Sequence, residues 1–221
     1  MAEISFVIEP NNPSNDHQVR IIVDGQDLIA CYCDDMLGID PPDFFTDRAL
    51  LEFGKLIFAR CSCGVVGCGD AIVHTSRDHI TVIWDSFSPK IPGIRSLTFS
   101  RQQFDAAVEA ARNDHSWETA ERTAERFIAE LDFTSLNEQG LAFRWASGRL
   151  NNTKISVCFY LDLTYQVIVS APWNHVAVQE AVSGIQAELG KPPYEWSDVT
   201  YYPQKKDVPA PALSGPGWRR G

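Results

Sequence analysis

Long apolar runs are what this sequence most plainly lacks. None of its 221 residues belongs to a stretch approaching the ~18 consecutive apolar positions that a membrane-spanning helix needs. The opening MAEISFVIEP carries Glu3 and Glu9 where a secretory leader would carry lysines before an apolar segment. A soluble, cytoplasmic chain without a membrane partner is therefore expected. Basic charge is also scarce: 19 Lys and Arg stand against 29 Asp and Glu, a formal net charge of −10. Such a surface repels phosphate backbones and has no basic stripe, which argues against nucleic-acid binding and suits a basic protein partner. There is no phosphate loop, G-x-S-x-G elbow, H-E-x-x-H pair or dinucleotide fingerprint, so the common motif-bearing enzyme classes gain no support. Nothing in the residue pattern fixes an oligomeric state.

Cysteine, by contrast, is concentrated. Cys61, Cys63 and Cys68 fall within eight residues, among six cysteines in all. In a reducing compartment these are thiols or metal ligands rather than a disulfide framework. Gly64 and Gly67 let the backbone fold tightly between them. Three chemistries suit the cluster. As a zinc site it supplies three thiolates and requires a fourth ligand, for which His74 on the following strand, or the Cys31 and Cys33 pair, are the candidates. As a nucleophilic or redox site it requires a cation or histidine that activates one thiol. As core packing it requires nothing further and leaves the protein without a cofactor, since reduced cysteine is a small and often buried residue.

The string Cys61-x-Cys63-Gly64-x-x-Gly67-Cys68, followed by Val82-x-Trp84-x-x-Phe87 and preceded by Val23-Asp24-Gly25-x-Asp27-Leu28, resembles a family of uncharacterised bacterial proteins frequent in actinobacteria. The resemblance covers roughly the first two fifths of the chain. It implies a cytoplasmic bacterial origin and no assigned activity. Many members carry a charged residue and an aromatic between the two glycines, where this chain has Val65-Val66.

Hydrophobic periodicity predicts an α+β fold: antiparallel hairpins packed against an αα-hairpin and a C-terminal helix. Ile4, Phe6 and Ile8 alternate in a first strand, and Asp24-Gly25 marks a hairpin whose return carries Cys31 and Cys33 as a strand or a short helix. Strands flank the cysteine cluster. Ser100 opens one helix and a second comes after Ser116, its Glu- and Arg-rich outer face expected in solvent. Three strands between Leu141 and Ser170 precede a helix capped by Asn174 and stopped at Gly190. A single domain over 1–203 is expected, with 1–113 and 114–203 as possible ββα-type halves. Residues 204–221, rich in Pro and Gly, read as a flexible tail. The expected function is a protein-binding accessory or immunity-like factor, the alternative being a zinc- or cysteine-dependent enzyme centred on Cys61, Cys63, Cys68 and His74.

Overall fold

Alternation in the first strand comes out as the sequence requires. In the computed structural model, which describes residues 1–11, 16–63, 68–88, 95–151 and 153–221, strand β1 (Ile4–Asn11) half-buries Ile4, Phe6 and Ile8 and exposes Ser5 and Val7. It pairs antiparallel with β2 (Asp16–Val23), and Asp24 and Gly25 turn the chain with φ of 49° and 77° into the short β3 (Gln26–Asp27). After β3 the chain enters a helix, α1 (Leu28–Tyr32), because the Asp27 carboxylate accepts from the Ile29 and Ala30 amides and caps it. The two cysteines there consequently share no strand face. The chain continues through β4 (Met36–Gly38), α2 (Pro41–Thr46) and α3 (Arg48–Leu51); the segment 38–43, whose glycine and paired prolines predict a loop, is helical from Pro41, and Asp47, not the Thr46 that the residue pattern predicts, caps α3.

Next come β5 (Gly54–Cys61), β6 (Asp70–Arg77), β7 (Thr81–Ser88), β8 (Ser96–Ser100) and helix α4 (Arg101–Asn113). Strands β4 to β8 form one antiparallel sheet in sequence order. The segment 88–93, whose prolines and glycine predict a crossing loop, and the glycine turn expected at 64–67 lie outside the described residues, apart from Ser88. Several contacts join this sheet to β1–β3, among them the Gly38 amide donating to Gln18 Oε1 at 2.8 Å. Ala2 bridges Phe99 of β8, and the Val19 amide donates to Ile39 O, 2.9 Å, just past β4. One core results, closed by α4, whose Phe104 meets Phe6, Trp84 and Phe99 edge-on or tilted. The close approach of β4 to β2 depends on Gly38, where a Cβ would run into the Val19 carbonyl. Gly38→Ala is expected to cost on the order of 3 kcal/mol by prising these strands apart, read as a lowered denaturation midpoint.

The chain divides into two compact units, Met1–Trp117 and Glu118–Gly221. The two helices read as an αα-hairpin fall on either side of that division: α4 spends its apolar stripe on β1, β7 and β8, whereas α5 (Ala120–Ala129) packs on elements of the second unit. Those elements are α6 (Thr134–Glu138), β9 (Leu141–Ser147), β10 (Lys154–Leu161), β11 (Tyr165–Pro172), α7 (Val178–Leu189), β12 (Val199–Pro203) and β13 (Trp218–Arg220). Helix α7 begins at Val178 rather than just after Asn174, whose side chain instead accepts from the Val176 amide. The sheet order is β13-β12-β11-β10-β9, with β13 parallel to β12. Helices α5 and α7 cover the face bearing Ile155, Val157, Phe159, Val167 and Val169.

Two expectations fail in this unit. The segment from Gln204 is not a free tail: Trp218 is 8% exposed, pairs in β13 and stacks on Trp196. The Pro/Gly composition signals a lack of regular structure along 204–217, but the apolar Val208, Leu213 and Trp218 within it are absorbed by the core. Nor is the charged face of α5 all solvated, since Arg122 and Glu125 are buried against each other, 3.0 Å apart. Burial pushes the Glu125 carboxyl up despite the Arg122 guanidinium and the Gly148 amide.

At the end of α7, Glu188 receives Lys191 Nζ at 2.6 Å, Ser197 Oγ at 2.8 Å and the Ser197 amide. Burial would raise its pKa, but the three donors together outweigh that and hold it low. A depressed folded-state pKa gives stability above the unfolded value of 4.5 that is lost as pH falls through the folded value. Glu188→Gln is therefore expected to cost on the order of 2 kcal/mol at pH 7 and progressively less below pH ~4, checked by urea melts across that range.

Among the described residues, no helix is long and apolar enough to cross a membrane.

Candidate metal centre

Strands β5 and β6 carry the cysteine cluster at the end of their hairpin. Cys61 closes β5, its amide donating to Gly69 O at 2.7 Å, and Met36 of β4 is its partner on the other side. The next amide, of Ser62, donates to Asp35 O at 3.1 Å. Both sides of the chain entering the turn are thus fixed. Immediately before the turn, Arg60 and Asp70 face each other across the strands and pair at 3.0 Å, so the guanidinium next to Cys61 in sequence has its carboxylate already.

On this base the sulfurs of Cys61, Cys63 and Cys68 all lie within 4.8 Å of one another. Cys61 is half-buried, and Cys63 and Cys68 are exposed. Zinc–thiolate bonds of about 2.3 Å in tetrahedral geometry set sulfurs roughly 3.8 Å apart, so the trio needs at most about an ångström of closure to grip an ion. Without one, hydrogen bonding to Cys63 and the negative charge of its thiolate, then the same two effects from Cys61, push Cys68 up to about 11. That is the opposite of an activated nucleophile, whose pKa is lowered by a neighbouring cation.

The other residues read as ligands stand apart from this group. His74 is exposed on β6 between Lys55 and Asp85, and four residues of extended strand from Asp70 put it roughly 13 Å further along. Cys31 is exposed on α1, while Cys33 is buried in the first core at 5% exposure. Burial and the charges of Asp27 and Asp34 push the Cys33 thiol up. Cys158 is likewise buried, on β10, with its thiol pushed up by burial.

A second polar cluster escaped sequence reasoning altogether. His175 has φ of 62°, stacks on Trp173, and sets Nδ1 2.6 Å from Glu121 and Nε2 3.2 Å from Asn151 O. Beside it the Gly148 amide donates to Glu125 at 3.0 Å and Arg149 approaches the same carboxylate at 3.7 Å. These residues come from α5, the β9–β10 turn and the segment after β11, positions 54 apart in the case of Glu121 and His175. No spacing signal could have linked them. Their carboxylates are occupied by partners within the cluster, which makes it a clamp on two turns.

No protein-family model, curated protein or solved structure matches the chain.

Proposed function

We propose that this chain is an acidic accessory protein that holds one zinc ion, or a comparably thiophilic divalent metal, on Cys61, Cys63 and Cys68. The observation that carries the reading is the convergence of three sulfurs within 4.8 Å at a turn whose stems are fixed by β4, β5 and β6. A packing role suits it less well, because two of the three thiols are exposed and fill no core. A thiol-enzyme role suits it less well too, given the upward shift at Cys68 and the prior engagement of Arg60 by Asp70. The metal organises the hairpin end, and the charge of −10 favours a basic protein partner over nucleic acid.

Purification without chelator or affinity metal is expected to give about one zinc per chain, with three thiols shielded from a native thiol titrant until chelator is added. Metal-free protein whose Cys63 and Cys68 react at once would sink the reading.

A further inference from the structure

Among the described residues, nothing adds a fourth ligand to the three sulfurs, and that determines what the site binds next. The turn between Cys63 and Cys68 is Gly64-Val65-Val66-Gly67, which has no donor side chain. Among the described residues no His, Cys, Asp or Glu joins the three sulfurs within 4.8 Å. His74 is held away by the extended strand, Cys33 by the core, and the Asp70 carboxylate by Arg60. Cys63 and Cys68 are both exposed, so these two ligands are within reach of a group from outside the chain.

Resting on the metal reading, we propose that the fourth coordination position is kept for an imidazole from outside the chain, supplied by a histidine of a basic partner. Zinc with three thiolates already carries one net negative charge, and three thiolates with one imidazole is an established closed set for this metal. A fourth thiolate or a carboxylate would add a further negative charge beside the exposed Asp34 and Asp35, in a chain of net charge −10. A neutral donor avoids that repulsion, and lysines or arginines flanking the histidine gain from the same carboxylates. The bond that forms is metal to imidazole nitrogen, displacing a water molecule; no electron or proton need change hands.

Cobalt(II) substitution tests this with a readout that distinguishes the two readings. The full-length protein loaded with cobalt is titrated with N-acetylhistidine amide, with acetate, and with a Lys-rich peptide containing a single histidine or alanine in its place. A sulfur-to-cobalt charge-transfer band that is lost in Cys63→Ser reports the metal site itself, and its absence in the parent protein would overturn the metal reading. With that band present, the expected result is that both histidine probes shift the visible d–d bands saturably and leave the charge-transfer intensity unchanged. Acetate and the alanine peptide are expected to have no effect. The histidine peptide is expected to bind about tenfold more tightly than the free amide at low salt, an advantage that disappears at high salt. Equal binding of the two would assign the position to free imidazole compounds and overturn the partner. A band unmoved by either histidine probe, or intensity about one third higher before any addition together with a doubled mass, would overturn the proposal, the latter by showing a fourth thiolate from a second copy.

Discussion

Trp218→Ala is expected to lower the stability of the second unit by about 3–5 kcal/mol, with a fall in its melting temperature of roughly 10 °C or more. The indole lies parallel to that of Trp196, 3° between planes and 5.8 Å between centroids, and its Nε1 donates to Pro193 O at 2.8 Å. Its backbone extends the sheet as the parallel partner of Val199. Removal therefore opens a cavity the size of an indole and leaves the Pro193 carbonyl with only the longer bond from the Trp196 amide, 3.2 Å. Trp218→Phe, which keeps an aromatic face and loses the donor, is expected to cost about 1–2 kcal/mol. Ending the chain after Pro203 goes further, since Val208, Leu213 and the Pro209 carbonyl that receives Tyr165 Oη leave with the strand. A melting temperature for Trp218→Ala within a degree or two of the parent would mean that the C-terminal strand does not hold the sheet in solution.

The second large effect belongs to the cysteines. Serine at Cys63 or Cys68 is expected to weaken zinc binding at least a hundredfold, because structural zinc binding of roughly 10–16 kcal/mol is shared among few ligands and a hydroxyl is a poor substitute for a thiolate. Competition against a chromophoric chelator measures it. Affinity in the parent should also rise with pH, since Cys68, pushed up to about 11, must give up a proton to bind. Serine at Cys31 or Cys158, both outside the sulfur group, is expected to leave zinc affinity within about twofold. If all four variants behaved alike, the three-sulfur centre would have no basis.

Local chemistry was enough to find the hairpin ends. Asp24-Gly25 turns where a two-residue hairpin requires positive φ, and Gly190 ends α7 as a helix stop should. It failed where a side chain's partner is remote in sequence. The pattern at Leu28–Tyr32 suited strand or helix equally, and the Asp27 cap decided it. Arg122 and Glu125 look like any charged pair on a helix face, but Gly148, far along the chain, helps to satisfy Glu125 and lets the pair be buried.

By itself, then, the sequence determined the α+β class, the run of hairpins before each long helix, and the cysteine cluster, because alternation, turn residues and close Cys spacing are all properties of neighbours along the chain. Only the tertiary structure decided that the three sulfurs converge without His74, Cys31 or Cys33, that the helices after Ser100 and Thr119 serve separate cores, and that Trp218 closes a sheet instead of ending a loose tail. Each of those outcomes turns on which strands become neighbours and which apolar faces remain to be covered, and both are settled by packing between residues tens of positions apart.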